Sequence, residues 1–217
     1  MQRILGYMRK AVTEFDLMQD GDKIAVGVSG GKDSVVLLTG LARLRRFIGI
    51  QYDIVGITLD PQFNSQPTDY SPIAKLCEEL DVEYTVKPTH IGEIVFDVRK
   101  EANPCSLCAK MRKGALNDAV KKMGCNKVAY AHHKDDVVET MLLSLIFEGR
   151  FHSFSPKTYL DRMDLTVIRP LLYVDEYDVV GFQKKYQLPV SKNPCPADGH
   201  TKREYAKELL TQLTREN

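Results

Sequence analysis

Residues 23–34 read Lys23-Ile24-Ala25-Val26-Gly27-Val28-Ser29-Gly30-Gly31-Lys32-Asp33-Ser34. The first half, Lys23–Val28, is nearly continuous in hydrophobicity and rich in β-branched residues, as a strand buried on both faces should be. The second half is polar and glycine-bearing, and an apolar-periodic stretch predicts a helix over Asp33–Phe47 directly after it. Two consecutive glycines let the backbone fold tightly and bring its N–H groups close to an anion. A helix that starts near Asp33 aims its unpaired N–H groups and positive dipole end at the same point. Ser29 and Ser34 add hydroxyls, and Lys32 adds a charge. The plainer alternative is an ordinary strand–turn–helix connection capped by Asp33 or Ser34. The whole string at this position favours a phosphate site. It is not the loop of kinases and GTPases, which has four residues between its glycines.

Working outward, short apolar runs alternate with longer amphipathic ones, which predicts an α/β fold around a parallel sheet. Strands are expected at Lys23–Val28, Tyr52–Leu59, Val82–Val86, Lys127–Ala131 and Leu165–Ile168, giving a five-stranded parallel, doubly wound sheet. Helices are expected over residues 1–18, Asp33–Phe47, Ile73–Leu80, Leu107–Met123, Asp136–Phe147, Glu176–Tyr186 and about 202–214. Loops are expected at Asp60–Tyr70, Lys100–Pro104 and Glu148–Lys157. No repeat or Gly/Ser linker divides the chain, so residues 1–217 are read as a single domain.

The chain has 217 residues with 30 Lys+Arg against 29 Asp+Glu, a net charge of +1. That balance excludes disorder driven by charge excess, and it leaves open a nucleic-acid partner that reads local patches. No apolar run approaches the roughly 18–20 residues that a membrane helix needs. Arg3, Arg9, Lys10 and Glu14 interrupt the opening apolar residues, which is not a signal-peptide pattern. A soluble, cytoplasmic protein is expected. Five cysteines, at 77, 105, 108, 125 and 195, argue against a disulfide framework.

Three further stretches carry chemistry. Thr58-Leu59-Asp60 closes the second strand, where a doubly wound sheet exposes its carboxyl ends to ligand. Ala131-His132-His133-Lys134-Asp135-Asp136 joins the fourth strand to a helix. Asp135 or Asp136 could hold Mg²⁺ against a triphosphate, because hard cations take oxygen ligands. His132 or Lys134 could neutralise phosphate charge; a capping Asp136 and solvated histidines are the bland alternative. Pro104-Cys105-Ser106-Leu107-Cys108 precedes a basic run of Lys110, Arg112 and Lys113, and Cys195 sits between Pro194 and Pro196. Cys105, Cys108 and Cys195 make a three-thiolate set suited to a [4Fe–4S] cluster with one open iron, or to zinc with one open position. Cys77 and Cys125 read as core or turn residues.

The loop at 29–34 resembles the SGGKDS loop of the PP-loop ATP pyrophosphatases, an adenine-nucleotide α-hydrolase-like family that cleaves ATP between its α- and β-phosphates. The segment at 131–136 resembles that family's GHHxDD string, with Ala131 where glycine is usual. The order of SGGKDS, CSLC with a basic run, HHxDD, Ile168-Arg169-Pro170-Leu171 and a Pro-Cys loop is similar to the tRNA 2-thiocytidine synthetases over about residues 3–210. The resemblance implies that Ser29, Gly30, Gly31, Lys32, Asp33, Ser34, Leu59, Ala131, His132, Asp135 and Asp136 bind ATP and Mg²⁺. It implies that Lys32, Asp33 and Asp136 act in adenylating a tRNA cytidine, and that Cys105, Cys108 and Cys195 hold an Fe–S cluster through which sulfur is inserted. Lys110, Arg112, Lys113 and Arg169 are the expected RNA contacts. Further basic pairs, Lys184–Lys185 and Lys202–Arg203 among them, extend a tRNA-facing surface that a homodimer would complete. The chain lacks the C-terminal extension of longer members, and after Cys195 it reads PADGHTKRE, closer to archaeal and other bacterial thiolases. The sulfur donor is not implied. Two other functions compete: a lysidine-synthetase-like or 2-thiouridine-forming relative, and a zinc-stabilised RNA-binding module without turnover.

Overall fold

The computed structural model describes residues 2–63, 68–99, 104–191, 195 and 202–215. The expected loop residues at 64–67 and 100–103, and the prolines flanking Cys195, lie outside them.

The helix α1 (Gln2–Glu14) leads into strand β1 (Asp22–Gly27), α2 (Lys32–Leu44), β2 (Tyr52–Asp60), α3 (Ser71–Glu79) and β3 (Glu83–Pro88). A π-helical segment (Glu93–Arg99) precedes α4 (Pro104–Lys122), β4 (Lys127–Ala129), α5 (Lys134–Glu148), β5 (Lys157–Leu160), β6 (Leu165–Ile168), α6 (Glu176–Lys185) and α7 (Lys202–Arg215). The strands form one six-stranded sheet in the order β3-β2-β1-β4-β6-β5. All neighbours pair in parallel except β5 with β6, which are antiparallel.

The sheet has one strand more than the five expected. β5 begins at Lys157, where a loop was expected to end, and only four residues form it. It is an edge strand with half-exposed Tyr159, too short and too polar for a clear alternation. The other differences move function. α4 begins at Pro104 rather than Leu107, so Cys105 and Cys108 lie in a helical first turn. β4 spans three residues and stops at Ala129, which leaves Ala131 and His132 in the turn to α5.

Side chains alternate across the sheet as period-2 strands require. Ile24 and Val26 of β1 enter a core shared with α1, α2 and α6, while Ala25 faces the opposite core with Leu116, Ala119 and Val120 of α4. α2 is buried at every position from Ser34 to Leu44 except Arg43. The result is three layers, helix–sheet–helix, with the phosphate loop emerging from the central strand. The chain moves outward from β1 through β2 to β3 and then returns to β4 on the other side. The carboxyl ends of β1 and β4 therefore flank the point where strand order reverses, which is where open α/β sheets bind ligands.

One polar cluster is sealed inside this frame. Lys127 on β4 pairs with Asp22 on β1 at 2.8 Å, with side chains 7% and 5% exposed. Asp22 also accepts from the Gln19 N–H and the Asn126 amide, and Lys127 donates to the Leu17 carbonyl. Removing one partner strands a buried charge. Lys127→Met is expected to cost about 3–5 kcal/mol in urea unfolding. Adding Asp22→Asn should recover most of that loss, and a double variant no more stable than the single one would refute the pairing.

Candidate nucleotide and metal site

The phosphate loop is a tight hydrogen-bonded turn. The Ser29 N–H donates to Ser34 Oγ at 3.1 Å, Ser34 Oγ donates to the Gly31 carbonyl at 2.9 Å, and the Gly31 N–H donates to Ser29 Oγ at 3.3 Å. Gly30 sits at φ +86°, a backbone region that suits glycine. Space there is tight as well, since an added Cβ would lie 3.2 Å from Ser191 Cβ. Neither Asp33 nor Ser34 caps α2. Its N-cap is Gly31, with no side chain closing the first turn, so N–H groups there stay available for an anion.

A cavity of about 500 Å³ opens over this loop, a size within the range of small-ligand sites. Its walls include Ser29, Asp33 and Ser34, the strand-end residue Leu59, Ala131 and His132, Asp136, and Arg112 and Lys113 from α4. Nine of the expected ATP and RNA residues, carried by four separate stretches of chain, thus reach one space. Lys110 is exposed on α4, and Asp135 turns to α6, where its Oδ2 accepts the Glu176 N–H at 2.7 Å.

His132 is half-buried against Phe154, with ring centroids 4.5 Å apart, and meets Tyr130 edge-on. Burial brings its pKa down to about 4, against a partial upward pull from Asp136, so the ring is neutral at ordinary pH. Arg169 Nε donates to His132 Nδ1 at 3.3 Å, which leaves Nε2 carrying the proton of the neutral ring. Arg169 itself is 9% exposed, stacks over Phe154 and donates to the Ser155 carbonyl. Its guanidinium is therefore committed inward, beneath His132. An exposed RNA contact is not what this position offers, because Ile168-Arg169-Pro170 runs from the sheet interior.

Charges close a ring around the loop. Lys32 Nζ lies 2.9 Å from Glu176 and 3.2 Å from Asp33. Glu176 meets Lys207 at 3.3 Å, and Lys207 meets Glu139 at 3.8 Å. Glu139 meets Arg203 at 3.6 Å, and Arg203 meets Asp136 at 3.1 Å. His133 completes the circuit, 3.5 Å from Asp136 and 3.8 Å from Asp33. Burial disfavours the charge of Lys32, but Glu176 and Asp33 outweigh it and hold the ammonium above its usual pKa. Burial pushes the Glu139 carboxyl up despite Lys207 and Arg203.

Glu139, Glu176 and Lys207 were not among the expected site residues, and Arg203 was expected on an RNA-facing surface. Arg203 instead lines the cavity. Spacing held the signal: Arg203 and Lys207 are four apart on α7, and Asp136 and Glu139 are three apart on α5, so each pair shares a helical face.

The three chosen cysteines differ in setting. Cys105 is exposed, Cys195 half-buried and Cys108 buried beside Ile91 and Val95. Burial raises the Cys108 pKa, the Arg112 guanidinium opposes this, and the nearby Cys195 and Cys105 raise it further. Cys108 thus has both other thiols as neighbours at the α4 start. Among the described residues, no three His, Cys, Asp or Glu side chains already converge at single-ion spacing. Cys77 and Cys125 are buried in the cores on opposite faces of the sheet, as expected of packing residues.

No described helix is long and apolar enough to cross a membrane. The chain matches the family described as the PP-loop domain over residues 5–213. A tRNA-cytidine(32) 2-sulfurtransferase from Geobacter sulfurreducens is 38% identical, aligned over 100% of this chain and 84% of its own. Another of the same name, from Citrifermentans bemidjiense, is 37% identical over 99% of this chain and 85% of its own. Among solved structures, the U34-tRNA thiolase NcsA from Methanococcus maripaludis with its [4Fe–4S] cluster superposes with a TM-score of 0.76. It is 23% identical and covers 99% of this chain and 74% of its own, a likeness of fold. With the PP-loop domain spanning residues 5–213 and relatives of such identity aligned over nearly all of this chain, the chain belongs to the PP-loop family.

Proposed function

We propose that this chain is an ATP-dependent tRNA thiolase acting on a cytidine, which it adenylates before sulfur enters. The supporting observation is the meeting of phosphate loop and cysteines. The Ser191 N–H donates to the Gly30 carbonyl at 3.0 Å, which ties the chain shortly before Cys195 to the phosphate loop. Arg112, four residues beyond Cys108, lines the same cavity as Ser29 and Asp33. The cysteines themselves do not line the cavity, and a thiol set tied to the ATP site through Ser191 and α4 suits two consecutive reactions on one base. The names of the relatives, tRNA-cytidine(32) 2-sulfurtransferases, support a tRNA substrate and a cytidine target.

A pyrimidine carbonyl oxygen leaves poorly. Its attack on the α-phosphate of ATP expels pyrophosphate and makes the oxygen part of a phosphate ester, which sulfur can then displace with release of AMP. The phosphate-loop N–H groups, the Ser29 and Ser34 hydroxyls and Lys32 would stabilise charge on the departing pyrophosphate. Asp136 is the carboxylate positioned to hold Mg²⁺ beside those phosphates. The His132 ring, neutral and fixed by Arg169, would offer a hydrogen bond without adding charge. Arg112 and Lys113 would meet phosphates of the tRNA or nucleotide at the cavity mouth, with Lys110 on the outer surface.

Cys105, Cys108 and Cys195 would hold the [4Fe–4S] cluster. Three soft thiolates near the N-terminus of a 19-residue helix fit such a group, since thiolates ligate Fe–S clusters and the helix end favours negative charge. When bound, the cluster supplies the sulfur-transfer chemistry from its open iron. A homodimer would enlarge the tRNA-facing surface.

The direct test is pyrophosphate release that depends on tRNA, followed by 2-thiocytidine in the digested RNA, with iron and sulfide assayed in anaerobically purified protein. Lysidine in place of thiocytidine would replace this reading with the amine-ligating alternative. Metal-dependent binding supplies a finer check. Asp136 Oδ2 also accepts the His133 N–H at 2.9 Å, so the residue has a helix-capping part to play. Asp136→Asn is expected to weaken ATP binding about ten-fold with Mg²⁺ present, and far less without it. Equal losses in both conditions would reduce Asp136 to a cap.

A further inference from the structure

Three fixed cations belong to the charge ring, and of these Arg203 alone is part of the cavity wall. Lys32 turns to Glu176, and Lys207 lies one helical turn behind Arg203, between Glu139 and Glu176. Arg203 donates to Asp136 Oδ1 at 3.1 Å and to Thr140 Oγ1 at 3.4 Å. Behind it stands Glu139, 2% exposed, whose Oε2 has no hydrogen-bond partner. We propose that Arg203 is a phosphate-contacting catalytic residue, parked on Asp136 until nucleotide and metal enter; this rests on the ATP reading above.

The chemistry is an exchange of partners. A guanidinium and a divalent cation compete for the same carboxylate oxygens, and Arg203 now occupies one of them on Asp136. Once Asp136 serves a metal, the guanidinium loses that partner while already facing the space above Ser29 and Asp33. Its planar fork suits a phosphate better than a lysine ammonium does. Glu139 anchors the guanidinium from the rear, so the side chain swings rather than departs. The Arg203–Asp136 pair is an unconvincing stabilising device in its own right, because the arginine side chain is 43% exposed and such pairs contribute little.

A merely structural pair and this exchange differ in sign. The probes are Mn²⁺ alone and an ATP analogue with a non-cleavable α–β bridge, both titrated into the full chain. Arg203→Met should bind Mn²⁺ alone several-fold more tightly, because Asp136 has lost its competitor. The same variant should bind the metal–analogue complex about ten-fold more weakly, some 1.4 kcal/mol. Arg203→Lys, which preserves the charge and guards against misfolding, should restore the competition with Mn²⁺ but only part of the analogue affinity. Loss of both affinities together, or unchanged analogue binding in Arg203→Met, overturns the assignment. Wild-type protein that binds no analogue at all would instead overturn the ATP reading on which it rests.

Discussion

Cys105→Ala, Cys108→Ala and Cys195→Ala are each expected to strip iron from the protein and abolish thiolation, while Cys77→Ala and Cys125→Ala do neither. A cluster left with two protein thiolates is open at two irons and easily lost. Cys108 has both Cys105 and Cys195 as neighbours, with Arg112 as the opposing charge. Cys77, by contrast, is 1% exposed, and burial pushes its pKa up to about 11, so it has little thiolate to offer. Pyrophosphate release should survive in the three cluster variants, because Ser29–Ser34 are built on a different strand end. Iron content and thiolated nucleoside are the readouts. Full iron with normal thiolation in Cys195→Ala would sink the three-cysteine assignment, and zinc lost together with stability would favour the RNA-binding module.

Lys32→Ala and Asp33→Ala are expected to lower the rate of pyrophosphate release by about 10²–10³-fold, the scale for removing one preorganised group from a developing charge. Both side chains are about a third exposed (30% and 34%), so the fold should persist. Lys32 is held at the loop by Glu176 and Asp33, and its ammonium exchanges these carboxylates for phosphate oxygens when nucleotide arrives. The measurement is tRNA-dependent pyrophosphate release with thermal unfolding as a control. Normal turnover in either variant would remove the phosphate-loop assignment.

The local part of this protein was legible in its sequence. Continuous hydrophobicity marked Lys23–Val28 as a central strand, and β1 does lie in the middle of the sheet. The glycines at 30 and 31 marked the loop, for a reason that is also local: Gly30 adopts a positive φ that other residues rarely tolerate. The order of motifs along the chain carried the family. The antiparallel edge strand β5 escaped, because four half-exposed residues have too little periodicity to be read without the partner that pairs with them.

Tertiary structure alone decided which side chains face the phosphate loop. Lys32 and Lys207 are 175 positions apart, yet both grip Glu176. Arg169 reads in sequence as a basic residue near a strand end, and packing turns it inward under His132. Arg203 reads as one of a basic pair on a tRNA-facing surface, and the docking of α7 on α5 turns it to the cavity. The physical reason is common to all three. Backbone conformation follows from near neighbours, whereas the partner of a long charged side chain depends on where whole elements come to rest. Sequence determined the strand and the loop; only the packed helices determined the ring of charge beside that loop.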